Sequence, residues 1–269
     1  MSNEIIYEND KIRIERTTYE GKRAIVKKLK IKIDKKKSKT LSQIHKLTKN
    51  KLKTKVLNLQ ESTEKEALNQ LDCFNWGSNI VEIYDYDEKK GEIYMKEYQG
   101  DLVKLKADKL NFRNKYFIVL DILRGLKTIH DLYLVHSDIK CENIFYEKDY
   151  FKQRYVAYIA DFGASNDING DIEEYTRQFK PNDKTLTEKF DIFSLGKTIV
   201  EFFCNLKDCD FNILDYSKFP LFIKLSDFDN YEAFYNLVRR SLRRNPEERP
   251  SVNEYIRVVI FYLNNFSKY

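Results

Sequence analysis

Asp138, Lys140 and Asn143 share one short stretch, His136-Ser137-Asp138-Ile139-Lys140-Cys141-Glu142-Asn143, and a second carboxylate follows in Asp161-Phe162-Gly163. This set suits phosphoryl transfer. A carboxylate can orient a hydroxyl, an ammonium two residues on can meet phosphate charge, and an amide oxygen with a second carboxylate can ligate Mg²⁺. Such chemistry needs the two loops held side by side. Short strands predicted around Val135, Ile144-Phe145 and Tyr155 to Ile159 supply that frame, because they flank both loops and make a hairpin between them.

The elements farther out fall into two groups. Ile5 to Tyr7, Lys11 to Thr18 and Arg23 to Ile33 read as strands, the second alternating Ile12 and Ile14 against Arg13 and Glu15. A helix is predicted over about Glu61 to Leu71, with Glu64, Leu68 and Leu71 on one face, and then strands over Ile80 to Tyr84 and Glu92 to Glu97. After Gly100 the pattern turns helical. Phe117 to His130 carries a broad apolar stripe, Phe190 to Cys204 is strongly apolar, and Ala233 to Leu242 and Val252 to Asn264 close the chain. A strand-rich first third followed by helices points to an α+β chain with two lobes.

The 269 residues can bury a full core, and 42% hydrophobic with 14% aromatic residues excludes a disordered composition. No stretch approaches the length of a membrane span, and the first residues lack the basic and apolar regions of a signal peptide. Cys73, Cys141, Cys204 and Cys209 show no metal-ligand spacing and read as reduced thiols, so an intracellular, cytoplasmic or nuclear, location is expected. The net charge of +6 is unevenly spread. Lysines crowd Lys30 to Lys55, which reads either as a solvated insertion or as a contact for an acidic partner, nucleic acid or an anionic surface. The absence of interleaved aromatics argues against a single-strand platform.

The catalytic stretch resembles the catalytic and metal loops of the eukaryotic-type protein kinases, and the match runs from about residue 20 to 262. Lys140 marks the Ser/Thr type. The resemblance implies a bilobal fold. A small five-stranded antiparallel N-lobe with one main helix would cover 1–98, with a lysine-rich insertion at about 34–58, and a larger helical C-lobe would cover 99–269. It implies ATP and Mg²⁺ as cofactors and a protein as substrate. Asp138 would orient the substrate hydroxyl, Lys140 neutralise the transferred phosphate, and Asn143 and Asp161 ligate Mg²⁺. His136 would pack under Phe162, Asp191 hold the backbone of the catalytic loop, and Arg249 anchor the end of the activation segment. In Ala24-Ile25-Val26-Lys27, Lys27 would reach the α- and β-phosphates and pair with Glu64. Lys28 is a one-residue register alternative to Lys27, and Glu61 and Glu66 are alternatives to Glu64. Glu97 and Tyr98 would form the hinge that presents backbone groups to adenine.

The sequence also departs from the family. Glu8-Asn9-Asp10-Lys11-Ile12-Arg13 has no Gly where kinases cover the phosphates with a Gly-rich hairpin, whose backbone approaches phosphate closely because Gly lacks a side chain. Ile25 adds bulk where the family has Ala, Lys96 brings a charge to the back wall, and Ser137 replaces Arg. Lys180-Pro181-Asn182 stands for Ala-Pro-Glu; Asn182 offers no carboxylate to Arg249, whereas Asp183 does. Two functions follow from this mixture. The first is a serine/threonine protein kinase that is not regulated by phosphorylation of its activation segment. The alternative is a pseudokinase, a binding or scaffold module with weak or no ATP turnover.

Overall fold

The computed structural model describes residues 3–8, 12–17, 26–31, 61–87, 92–106, 110–170, 181, 183, 185–204, 224–229 and 231–265. For 3–8, 12–17, 26–31, 61–65, 84–87, 92 and 94 the backbone course alone is given. The lysine-rich stretch at 34–58 and Ile25 lie outside the described residues. The chain divides into two compact units, one of 1–68 with 82–97 and the other of 69–81 with 98–269.

The first unit contains strands β1 (Asn3–Glu8), β2 (Ile12–Thr17) and β3 (Val26–Ile31), which form an antiparallel sheet in the order β1-β2-β3. Helix α1 (Glu61–Trp76) begins in this unit and ends in the other. Strands β4 (Ile83–Asp87) and β5 (Glu92–Met95) pair antiparallel, and β5 approaches β3. The five strands are thus laid down as a three-stranded sheet and a two-stranded ladder. The expected strand from Ile80 starts later, at Ile83. Ile80 and Val81 instead join the larger unit, where Ile80 makes a parallel bridge to Ile159 and the Val81 N–H donates to the Ile159 carbonyl at 2.9 Å.

In the larger unit, β6 (Gly100–Asp101) and helix α2 (Leu102–Lys106) lead to α3 (Phe112–Asp131). Helix α3 starts earlier than its apolar stripe because Asn111 caps it, its side chain accepting the Asn114 N–H at 2.9 Å. Ile118, Val119, Ile122, Leu123, Leu126 and Ile129 of α3 are fully buried in the main core. Strand β7 (Leu134–Val135) follows, then β8 (Ile144–Asp149) and β9 (Arg154–Ile159), an antiparallel hairpin in register from Ile144 against Ile159 to Asp149 against Arg154. Its tip is an Asx-type turn in which Asp149 Oδ1 accepts the N–H groups of Phe151 and Lys152, both at 3.0 Å. Strand β10 (Asn166–Asp167) pairs with β7.

Helix α4 (Glu188–Cys204) is the axis of this unit, buried without a break from Phe190 through Phe203. Helices α5 (Glu232–Ser241) and α6 (Val252–Asn265) pack around it and α3, with Tyr116, Phe203, Phe228, Phe234 and Tyr262 forming a continuous aromatic cluster. A Cβ on Gly196 would lie 2.8 Å from the Ser241 Cβ, so glycine is what lets α4 and α5 approach this closely. Among the described residues, no helix is long and apolar enough to cross a membrane. The small strand-built unit and the helical larger one make this an α+β fold.

Candidate active site

The β8–β9 hairpin explains why two separate loops meet. Its first strand starts right after Asn143 and its second ends right before Ala160, and antiparallel pairing puts those ends together. The Ala160 N–H donates to the Asn143 carbonyl at 2.9 Å. The residues leading into Ile144 and those leaving Ile159 therefore share one end of a rigid ladder.

The first loop is fixed from beneath by Asp191, which is fully buried on α4. Its Oδ2 accepts the His136 N–H at 2.9 Å and its Oδ1 the Ser137 N–H at 2.8 Å, while His130 Nε2 lies 2.9 Å from Oδ2. Such anchoring is needed because Ser137 has φ 69°, a left-handed conformation that costs a β-carbon-bearing residue roughly 1–2 kcal/mol. The Ser137 hydroxyl is buried and has no hydrogen-bond partner among the described residues. A second contact from α4 is the Thr198 hydroxyl, which lies 3.0 Å from the Ile139 carbonyl and 2.9 Å from the Ser194 carbonyl, its one proton shared between them. Cys141 is buried beside α4, and desolvation pushes its thiol well above the usual range.

Asp138, Lys140 and Asn143 form one hydrogen-bonded group. Lys140 Nζ donates to Asp138 Oδ2 at 2.5 Å, and Asn143 Nδ2 donates to the Asp138 carbonyl and to Asp138 Oδ2, each at 2.9 Å. Asn143 has thereby directed its amide nitrogen at Asp138, and its Oδ1 remains as the acceptor facing away. Asp161 comes next to this group through the Ala160–Asn143 bond. It is exposed and left-handed at φ 63°, with Oδ1 accepting the Gly163 N–H at 3.4 Å. Phe162 turns the other way into the core, its ring edge-on to His136 at 4.9 Å, and His136 Nε2 is 3.0 Å from the Ala160 carbonyl. His136 is therefore a packed residue that joins the two loops.

The other residues singled out in the sequence lie on other elements. Lys27 lies on β3 and Glu64 on α1, with side chains outside the described residues, as are those of Lys28 and Glu61. Glu97 is exposed, and Tyr98 packs its ring on Tyr158 at 4.9 Å and Phe145 at 6.0 Å. The end of the activation segment is anchored through Asp183. Arg249, fully buried, holds it in a bidentate pair at 2.5 and 2.7 Å and also donates to the carbonyls of Arg243, Lys189 and Arg244.

Sequence reading missed two further features. One is the buried ion pair of Lys106 with Glu201, a carboxylate whose second oxygen has no partner among the described residues. The other joins Asn69 of α1 to Ser165, 2.9 Å apart, in the turn after Asp161. Neither has a sequence signal, since the partners are common polar residues about a hundred positions apart.

The donor set fits Mg²⁺ that arrives with a polyphosphate. No group of three His, Cys, Asp or Glu able to hold a metal occurs among the described residues. Mg²⁺ in phosphoryl-transfer sites takes only one or two protein oxygens and completes its shell with phosphate and water, which Asn143 Oδ1 and the exposed Asp161 carboxylate can supply.

The comparisons with known proteins agree with this geometry. Residues 20–261 match the protein kinase domain model. The chain is similar to a probable serine/threonine-protein kinase, fnkE, of Dictyostelium discoideum, at 28% identity over 71% of this chain and 15% of that protein. It is similar to the serine/threonine-protein kinases Nek1 of Mus musculus, at 31% identity over 66% of this chain and 16% of the relative, and Nek5 of Homo sapiens, at 28% over 66% and 27%. It thus spans well under a third of the length of each of these relatives. With a family model covering most of its length and the loops assembled as described, the chain belongs to the protein kinase family.

Proposed function

We propose that this chain is an active serine/threonine protein kinase that transfers the ATP γ-phosphate to protein hydroxyls. The observation that carries the reading is the joint placement of Asp138, Lys140 and Asn143 in one hydrogen-bonded group with Asp161 beside it. A substrate hydroxyl presented to Asp138 would be oriented by the carboxylate and deliver its proton there as the bond to phosphorus forms. Lys140 Nζ, on Asp138 Oδ2, is placed to move onto the transferred phosphate as negative charge accumulates. Asn143 Oδ1 and Asp161 would hold Mg²⁺, whose charge neutralises the polyphosphate. Lys27, paired with Glu64, is proposed to reach the α- and β-phosphates, and the backbone at Glu97 and Tyr98 to bind adenine. The 1–98 and 99–269 segments are proposed as the two lobes.

Because Asp138 and the metal ligands carry the chemistry while a phosphate cover adds positioning, the Gly-free stretch Glu8–Arg13 should weaken ATP binding before it removes turnover. The same stretch favours the second reading, a scaffold that keeps the fold without turnover. Labelled ATP with Mg²⁺ and a basic protein substrate, beside Asp138→Asn and Asp161→Asn, separates them. Incorporation lost in both variants establishes the kinase. No incorporation, with a thermal shift on ATP addition, favours the scaffold. The lysine-rich segment as a contact for an acidic partner, nucleic acid or anionic surface is proposed only as a salt-dependent electrostatic one.

A further inference from the structure

Asp161 has to hold a left-handed backbone while leaving its carboxylate exposed, and the turn that follows it is fastened in an unusual way. The Phe162 carbonyl, which belongs to the second peptide after Asp161's α-carbon, accepts twice from Ser165: from its N–H at 3.0 Å and from its hydroxyl at 2.6 Å. The same hydroxyl accepts from Asn69 Nδ2 at 2.9 Å. Ser165 is 2% exposed. Its hydroxyl thus has its only proton committed to Phe162 and a lone pair committed to α1. Beyond Ser165 the chain continues directly into β10, whose pairing with β7 fixes the other side of the turn.

We propose that Asn69 and Ser165 are positioning residues for Asp161, an uncharged clamp that keeps the metal-binding loop in its working conformation without phosphorylation. This rests on the kinase reading above. Strained backbone persists only where its surroundings over-determine it, and here the clamp fixes one side of Asp161 as the Ala160 N–H bond to Asn143 fixes the other. The clamp also removes Ser165 from the set of phosphate acceptors. A phosphoester oxygen has no proton to give the Phe162 carbonyl, and a group carrying about two negative charges would have to enter a site closed to solvent. Ser137, in place of the Arg that would bind a segment phosphate, is consistent with a loop held by other means.

The test uses the full chain, with Asn69→Ala, Ser165→Ala, Ser165→Thr and the double Ala variant. Ser241→Ala serves as a control; that buried serine bonds Tyr255 far from the loops and should change stability alone. Ser165→Ala is expected to lower kcat about tenfold and to raise the half-saturating Mg²⁺ concentration, with the KM for the protein substrate unchanged. Asn69→Ala should do the same more weakly, the double variant should be no worse than Ser165→Ala, and Ser165→Thr should recover most of the loss because it keeps the hydroxyl. Asn69 is only partly buried, so its variant remains informative if Ser165→Ala does not fold. Unchanged kcat and Mg²⁺ dependence in folded Asn69→Ala would overturn the clamp, as would phosphate found on Ser165 in active protein. If the wild type transfers no label, the kinase reading fails by itself. Amide hydrogen exchange over residues 162–166 then decides the clamp: faster exchange in Asn69→Ala supports it, unchanged exchange refutes it.

Discussion

Two buried carboxylates fasten loops in the larger unit, and they do so by different physics. Asp191 receives two backbone N–H groups and His130, so it sets the direction of the peptide units at His136 and Ser137. Asp183 meets the guanidinium of Arg249, a full opposite charge, with the rest of that guanidinium spent on backbone carbonyls. The first arrangement orients and the second ties. The difference teaches where sequence can move. The tie needs only a carboxylate within reach of Arg249, and it is met here from the position after Asn182. The orienting bond needs Asp191 itself, because two converging amides fit only a group with two acceptor oxygens at that point.

Breaking the tie should cost the most stability. Arg249→Met leaves Asp183 buried without a counter-charge, and denaturant unfolding should show a loss of about 3–5 kcal/mol. Adding Asp183→Leu should return part of it, the remainder belonging to the carbonyls of Arg243, Lys189 and Arg244.

Next in size is a pH effect beside the same arginine. Phe193 carries Arg249 over its ring at 5.1 Å and Lys197, also at 5.1 Å. Burial lowers the Lys197 pKa to about 8. Below pH 8 the ammonium is charged in both folded and unfolded chains, so its burial cost is carried in full. Between pH 8 and the ordinary value of 10.5 only the unfolded chain keeps the proton, and this contribution to stability improves as pH rises. Lys197→Met should therefore be more stable than wild type below pH 8, on the order of 3 kcal/mol, with the advantage fading by pH 10.5. A difference independent of pH would show that Lys197 is not held with a depressed pKa.

Asp191→Asn should cost less stability, about 2 kcal/mol, because one acceptor oxygen survives. Its amide nitrogen would face an N–H, however, and the catalytic loop should open. Cys141, buried and with its thiol pushed up, reports this: alkylation mapped by mass spectrometry should be slow in wild type and in Lys197→Met, and faster in Asp191→Asn. Equal labelling in all three would mean that Asp191 does not hold the loop.

Much of this region could be read from residue spacing. Asp138, Lys140 and Asn143 sit on one loop, and side chains two and five residues apart around a tight turn converge, so their hydrogen-bonded group follows from local geometry. Asp191 under the loop and the His136–Phe162 packing were also legible through family motifs, and Asp183 as a carboxylate next to the motif position at Asn182 that Arg249 would need. The start of α3 at Phe112 was not, because its apolar stripe begins later and the cap at Asn111 outweighs composition. Ile80 and Val81 have the β-branched character of a strand, but their backbone partner is Ile159, and pairing partners so far apart leave no trace in alternation. Asn69 with Ser165 and Lys106 with Glu201 were invisible for the same reason. Polar side-chain bonds between distant segments follow from the assembled fold and not from any local pattern.

The partners that hold the two loops, Asn69, His130, Asp191 and Thr198, all belong to the larger unit, as do the loops themselves. Substitutions more than about 7–10 Å from these contacts, with no shared partner, should be nearly additive with changes in the catalytic loop. Among the described residues, the conformation of the catalytic loop is therefore held by side chains of the larger unit. An intact catalytic loop is thus compatible with a Glu8–Arg13 stretch that carries no glycine.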